Sequence, residues 1–392
     1  MHSHGFQVNG MTIDYSAAAA AGPALRNPTD KLHVQLMRSV ADLDALKAHW
    51  KHLEDICRPA IFSAYEWTKA WWAAYGHGGE LFVLLAWDDG GKLKGMAPVH
   101  LRIGRGLRLL EFIGDNQDSG RLEFLADPSC RTEVVQAFLG FLHRSSSWDV
   151  ICLRGIDDDV VTEFCRGQHV SRDWRFRQTK SSHLAVSLAP TWPEFLAGLS
   201  RKRRASIDRT WRHLERDFSV SVRPCSEAKQ IPGFLDNLFA LHSARWQRSG
   251  SSGAFADERR RRFYAMIAEE FLGRGWLDCW QLELSGRVVA AEFGCRRFGV
   301  RYAMQSGFDP EFAAYGVGFA LESHVLRHAI ESGDRLYDFI AGTETYKARW
   351  GATNREYHHL CLARARSVGS VALRVAEWRE RFRNLGRCVI EQ

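Results

Sequence analysis

Apolar residues recur along this chain on two alternating periods. In DLDALKAHWKHLEDIC they fall at Leu43, Leu46, Trp50 and Leu53, the spacing that gives a helix one apolar face. FSAYEWTKAWWAAYG (62–76) reads as a second helix, stopped by Gly76. The strand HVQLMRSV precedes these helices, and ELFVLLAWDDGGKLKGMAPVHLRIG follows as a hairpin turning at DDGG. LRLLEFIG is a further strand, TEVVQAFLGFLHRS a helix, and WDVICLRGI a continuous apolar strand bounded by a turn.

The second half repeats this order. The stretch 191–217, TWPEFLAGLSRKRRASIDRTWRHLERD, is predicted helical with a basic middle, and SVSVRPC is a strand. IPGFLDNLFALHSARWQRSG and FADERRRRFYAMIAEEFLGRG are helices. Three strands follow in WLDCWQLELSGRVVAAEFGCRRFGVRYAMQSGFDP, with a tight turn at Ser285-Gly286. GVGFALESHVLRHAIESG is a helix, RLYDFIAG a buried strand and YHHLCLARA a last strand. GELFVLLAWDDGGKLKGMAP parallels RGWLDCWQLELSGRVVAAEF, and WDVICLRGI parallels DRLYDFIAG. The expected class is α/β, a tandem of mixed, mostly antiparallel sheets flanked by helices. The expected divisions are a flexible leader (1–30), a first domain (31–180), a second domain (181–365) and an amphipathic tail helix (366–392). The tail carries Val371, Val375, Trp378, Phe382 and Leu385, an apolar stripe with a basic opposite face. Its expected role is docking on its own domain, with peripheral membrane contact as the alternative.

Composition narrows the partners. The 392 residues are 45% hydrophobic, enough for a large core, and 23 Phe with 14 Trp suit broad cores or a groove for an apolar or saccharide ligand. Net charge is +7, from 53 basic and 46 acidic side chains. That suits an anionic partner without selecting among nucleotide, nucleic acid and membrane surface. Nine scattered cysteines with no CxxC pair read as reduced thiols of a cytoplasmic protein, with no metal site signalled. The N-terminus has no basic segment followed by an apolar core. No stretch reaches the roughly 18 consecutive apolar residues of a membrane span.

Gly316 and Gly318 stand in AAYGVG, at the start of a predicted helix. A helix start offers unpaired N–H groups and a positive dipole end, and glycine lets a phosphate approach them. The segment is neither GxGxxG after a first strand nor GxxxxGK[ST], so dinucleotide and P-loop readings are poor. With three strands before it and a buried strand after its helix, it resembles the GNAT acyltransferase superfamily. There a loop resembling Q/R-x-x-G-x-G/A binds the pyrophosphate of coenzyme A, and here Ala313 fills its first position. The longer series HSARW (242–246), SGFDPEFAAYGVG and YDFIAGTETYKARWG is similar to the CelD-like acetyltransferases linked to cellulose and exopolysaccharide production. That family is related to the Fem-type peptidyltransferases, which also have two GNAT-like halves. The resemblance covers roughly 30–365 and is strongest over 192–352.

What it implies is direct acyl transfer. Acetyl-CoA or a longer acyl-CoA would lie where two central strands splay, held by Tyr315, Gly316, Val317 and Gly318. Backbone N–H groups near Ala290–Phe293 would polarise the thioester. The acceptor is an amine or hydroxyl on a sugar, polysaccharide precursor or small metabolite. Glu292, in the apolar strand AAEFG, is the expected base with a pKa raised by burial, and a buried ion pair is the competing reading. Asp338 needs a partner if buried, either Lys347, a substrate amine or a structural network. Lys347 matches the family's YK.RW pattern, which implies contact with a substrate carboxylate or phosphate and with developing charge; the plain reading is a surface lysine. Tyr346 would protonate the leaving thiolate. His242, Arg245 and Trp246 share a helix face and would line the acceptor groove, or simply pack the helix end. The basic runs RKRRASIDRTWRHLER and ERRRR would meet phosphates or form solvated helix faces. Two further readings stay open. One is aminoacyl-tRNA-dependent transfer of the Fem type, favoured by the basic helix, and the other is a non-catalytic binding module.

Overall fold

The computed structural model describes residues 7–8, 11–12, 32–115, 118–157, 173–248, 250, 253–341 and 347–390, with side chains as far as Arg379. Nearly all of the expected leader, and Tyr346, lie outside these. The first half runs β1 (Leu32–Met37), α1 (Lys47–Cys57), α2 (Tyr65–Tyr75), β2 (Gly79–Leu81), β3 (Val83–Asp88), β4 (Leu93–Ala97), β5 (Val99–Gly104), β6 (Leu107–Phe112), β7 (Leu125–Ala126), α3 (Arg131–Arg144), β8 (Val150–Ile156) and β9 (Trp174–Ser187). The expected long hairpin is broken on both arms, at Phe82 and at Pro98. Pro98 has no N–H to give to a ladder. There the chain leaves one sheet for another, with Phe82 N–H donating to the Val99 carbonyl at 3.0 Å and Ile113 N–H to the Pro98 carbonyl at 2.9 Å.

The second half runs α4 (Trp192–Gly198), α5 (Arg201–Asp217), β10 (Val220–Pro224), α6 (Ile231–Gln247), α7 (Glu258–Gly273), β11 (Trp280–Leu284), β12 (Arg287–Arg297), β13 (Val300–Phe308), α8 (Val317–Glu331), β14 (Leu336–Ala341), β15 (Thr353–Arg364) and α9 (Val368–Ile390). The helix expected over 191–217 divides at Leu199-Ser200. Ser200 is an extended N-cap whose hydroxyl accepts from Arg203 N–H at 3.3 Å. The Arg204 guanidinium donates back to the Leu196 carbonyl at 3.2 Å and to that of Ala197 at 3.4 Å, closing α4. The turn at Ser285-Gly286 has φ of 48° and 86°, the paired left-handed residues of a two-residue hairpin.

Among the described residues, one sheet of eleven strands has the order β10-β11-β12-β13-β14-β9-β15-β8-β6-β5-β2, and a second has the order β1-β3-β4-β7. The large sheet reads the same way from both ends. β11-β12-β13-β14 and β2-β5-β6-β8 occupy matching places, and the parallel pair β13/β14 answers the parallel pair β6/β8. The expected echo between WDVICLRGI and DRLYDFIAG is thus the match of β8 with β14. The chain is a tandem of GNAT-like α/β halves. Its last strands are crossed over: β9 pairs with β14 of the second half, and β15 pairs with β8 of the first. β9 and β15 then pair with each other from Trp174↔Arg364 to Ala185↔Thr353. A boundary at 180/181 therefore falls inside β9, at the centre of the sheet.

The halves also share one core, in which Trp67 of α2 meets Phe263 of α7 edge to face at 4.8 Å. Buried ion pairs cross this seam. Glu54 of α1 accepts from Arg297, from Lys51 at 2.9 Å and from Tyr65 N–H at 2.8 Å. Asp118 takes Arg260, the second arginine of ERRRR. Arg259 pairs with its own N-cap Asp257 at 2.8 Å, and Arg261 donates to the Phe255 carbonyl at 2.7 Å, so much of that basic run is structural.

The tail helix differs from expectation. It lies on the sheet through Gly369, Ser370 and Leu373, and Val368, Val371, Val375 and Trp378 face outward. A Cβ at Gly369 would collide with the Asp149 carbonyl. The small-residue face docks because it brings the backbone close.

Removing one partner of a buried pair leaves the other charge stranded. Arg297→Ala should lower stability by about 3 kcal/mol, Lys51 retaining part of the charge balance. The urea midpoint reads this, and a change within 0.5 kcal/mol, roughly that of a neutral surface substitution, would show that the seam does not rely on this pair.

Candidate active site

β13 and β14 begin side by side and then part. Their parallel pairing is confined to Val300↔Leu336, Arg301↔Tyr337 and Tyr302↔Asp338. Beyond this root β13 continues to Phe308, with a bulge at Met304, because Phe293 faces Gln305 while Gly294 faces Ala303. Two joined cavities open beside the split, of about 210 and 140 Å³. Both are lined by Arg245, Glu292, Ser306 and Glu322. The first extends to Gly318 and Phe319 in the opening turn of α8 and to Arg349. The second extends to His242, Trp246, Phe339 and Lys347.

The root is held by a guanidinium with no exposure. Arg301 reaches Glu292 at 2.5 Å, the Asp278 carboxylate at 2.8 Å, the Asp278 carbonyl at 3.2 Å and the Tyr337 hydroxyl at 2.9 Å. Tyr337 donates in turn to Glu292 at 2.9 Å. Glu292 borders both cavities, but the same Oε1 serves Arg301 and Tyr337. The ion-paired reading of Glu292 is the one found, and an isolated desolvated carboxyl is not.

Glu322, which sequence reasoning missed, fits that description better. It sits one turn into α8, and what remains accessible of it opens onto the cavities. Burial pushes its carboxyl up to about 8. The Trp350 indole N–H, donating at 2.8 Å, opposes the shift; Glu292 adds to it, and Lys347 and Arg301 oppose it. A carboxyl poised near neutrality inside a cleft has the property a general base needs.

Lys347 is no surface lysine. It is 3% exposed, opens the short 3₁₀ turn Lys347–Trp350, borders the second cavity and donates to the Phe339 carbonyl at 3.3 Å. His242, Arg245 and Trp246 do share the α6 face toward this cavity. Burial pushes the His242 imidazole down to about 4, and the Arg260 and Arg245 charges act the same way, so it is neutral at pH 7.

Other expected residues sit elsewhere. Ala290–Glu292 are paired with β11 and β13 residues and Phe293 with β13, so this segment lies inside the ladder and not on the open edge of the split. Phe293 turns away from the cavities into the core, against Tyr264 at 4.8 Å. The unpaired edge of the split belongs to β13, one strand over. Asp338 alternates with Tyr337 and Phe339, so it faces the opposite side of the sheet. Its Oδ1 accepts from Ile340 N–H at 2.7 Å, and burial raises its pKa against that bond and the charges of Arg355, Lys347 and Arg121. Tyr315 packs on His213 at 4.8 Å and Phe218 at 5.0 Å, outside both cavities. Val317 is fully buried.

Gly316 is the left-handed N-cap of α8, with φ of 72°. The opening turn of α8 thus presents N–H groups beside the first cavity, near Arg349 and Arg245. Burial and the Arg349 charge lower the pKa of Arg203, which places that α5 arginine in the same electrostatic neighbourhood. Cationic side chains and a helix N-terminus fit the phosphates of a nucleotide-bearing acyl donor. Among the described residues, no group of His, Cys, Asp or Glu converges as a metal site.

Residues 201–348 match the acetyltransferase (GNAT) domain family, and this segment contains the split, the cavities and α8. Over that segment the chain is similar to the GNAT acyltransferases. No curated protein matches the sequence. Its fold is similar to that of FemX over 83% of this chain and 96% of that one, at 11% identity and a TM-score of 0.57. L-PGS from Bacillus licheniformis covers 90% of this chain and 98% of its own at 13% identity and 0.50. A conserved protein of unknown function from Bacteroides thetaiotaomicron covers 83% and 97% at 13% and 0.53. At these identities the likeness is one of fold, and it extends over both halves.

Between its ordinary 4.5 and about 8, Glu322 holds a proton in the folded chain that the unfolded chain has released. Stability therefore falls as pH rises through that window. Glu322→Gln keeps an acceptor for Trp350 and cannot ionise, so its urea midpoint should fall less between pH 5 and 8 than the parent's. A parallel decline in both proteins would remove Glu322 as the titrating group.

Proposed function

We propose that the chain transfers an aminoacyl group from a tRNA ester to an amine or hydroxyl acceptor. One arrangement supports this most: Arg349, Arg245 and the α8 N-terminus line the same cleft as the Glu322 carboxyl. The cationic groups suit donor phosphates. The Glu322 carboxyl, when ionised, suits an ammonium group on the acyl fragment, which acetyl lacks. The Fem-type resemblance and the likeness to FemX along both halves favour the same donor. The HSARW and YK.RW segments, through their CelD-like resemblance, favour a saccharide-bearing acceptor.

In this reading the Glu322 carboxylate takes the proton as the acceptor nitrogen or oxygen attacks the ester carbonyl carbon. The carbonyl oxygen gains the negative charge, and the Lys347 ammonium stabilises it. Collapse breaks the ester C–O bond. The proton held by Glu322 passes to the departing ribose oxygen, restoring the carboxylate. Neutral His242 and half-exposed Trp246 shape the acceptor side.

A specific observation keeps acyl-CoA as the second reading. The Gly316 cap and the opening turn of α8 carry AAYGVG, which resembles the loop that binds the coenzyme A pyrophosphate in the superfamily, and residues 201–348 match an acetyltransferase domain. The two donors separate by binding. Charged tRNA should shift the protein on a native gel, the shift should vanish with ribonuclease, and acetyl-CoA should give no calorimetric heat at millimolar concentration. Heat with acetyl-CoA and no tRNA shift would make coenzyme A the donor, and neither would overturn both readings.

With the donor established, Glu322→Gln should reduce kcat about a hundredfold, and the parent's kcat/KM should rise with pH up to about 8. Lys347→Met should cut kcat by a similar factor of about a hundred while the donor Kd stays within a factor of about two. Unchanged turnover in either folded variant would remove that residue from the chemistry.

A further inference from the structure

Helix α9 turns its apolar side to the solvent and is fixed in that orientation. Its inner face is tied down by Gly369 against Asp149, by buried Leu373 and by the ion pair of Glu377 with Arg175 of β9. The outer face carries Val368, Val371, Val375 and Trp378, exposed by 70%, 58%, 42% and 60%. In sequence the same period continues at Phe382 and Leu385. Val371 and Trp378 are four and three residues from Val375, so they form one strip along the helix. Arg374 and Arg379 are exposed, and a 100° step per residue sets them roughly 60–80° to either side of that strip.

We propose that this outer face of α9 seats the protein on an anionic lipid bilayer. An apolar strip edged by arginines is the pattern of a helix lying in the membrane interface: the strip enters the acyl boundary and the guanidinium groups reach the phosphates. Trp378 adds a ring suited to that boundary, apolar over most of its surface with one N–H donor. Charge decides between a bilayer and a second copy of the chain. Two copies paired through this strip would bring Arg374 and Arg379 of each against those of the other, whereas an anionic surface attracts all four. The net charge of +7 acts in the same sense. Among the described residues no helix is long and apolar enough to cross a membrane, so the association is peripheral.

The test is co-sedimentation of the full chain with vesicles of phosphatidylcholine alone and of phosphatidylcholine mixed with phosphatidylglycerol. Binding should appear with the mixed vesicles, weaken with added salt and be absent with phosphatidylcholine. Replacing Val371, Val375 and Trp378 together with Ser should weaken it at least about tenfold. Arg374→Gln with Arg379→Gln should weaken it and flatten its salt dependence. All these side chains are exposed, so thermal unfolding should match the parent's. No binding to mixed vesicles, or equal binding by the serine variant, overturns the proposal. So does a concentration-dependent dimer abolished by the serine substitutions without vesicle binding.

Discussion

A guanidinium cut off from water must be surrounded by groups that replace its hydration, and Arg301 imposes that demand on four strands at once. Its partners are Asp278, just ahead of β11, Glu292 of β12 and Tyr337 of β14. Burying these charges separately would be prohibitive, so the strands are drawn together wherever the network lies. It lies at the root of the split. Below it β13 and β14 are obliged to pair; beyond it no such obligation exists, and the strands separate into a cleft. Even the glycine in AAEFG answers to this, because a Cβ at Gly294 would occupy the place of the Arg301 guanidinium.

The network also sets apart two nearby carboxyls by their partners. Glu292 is engaged by a cation and a phenol and serves the architecture. Glu322 accepts from the Trp350 indole N–H, and burial raises its pKa. Burial raises a carboxyl's pKa, and a cation beside it opposes the rise. In this cleft Arg301 already holds the strand carboxyl, and the helix supplies one whose pKa is raised by burial.

Much of this fold is written in local pattern. Helix periods, the three-strand meander, the left-handed Ser285-Gly286 turn and the match of β8 with β14 need only neighbouring residues to be recognised. The failures are non-local. Pro98 signals a break, but not that the chain there changes sheets. The apolar stripe of α9 does not mark its docking face, because the close approach allowed by Gly369 depends on the distant Asp149 carbonyl. At the site, Lys347, His242 and Arg245 were legible through their motifs. Glu322 carried no motif: it is a glutamate on an amphipathic helix until Trp350, more than two dozen residues on, is folded against it. Glu292 looked isolated in AAEFG because Arg301 lies across a turn, outside any window of strand alternation.

The crossing of β9 and β15 has a consequence for descent and for handling alike. If the halves arose by duplication of one ancestral gene, they have not remained two articles joined end to end. Each now wears the other's final strand. Cutting the chain between them would leave two sheets with open, apolar edges and no strand to close either, an invitation to self-association. The unit that folds, and the unit on which selection acts, is the pair.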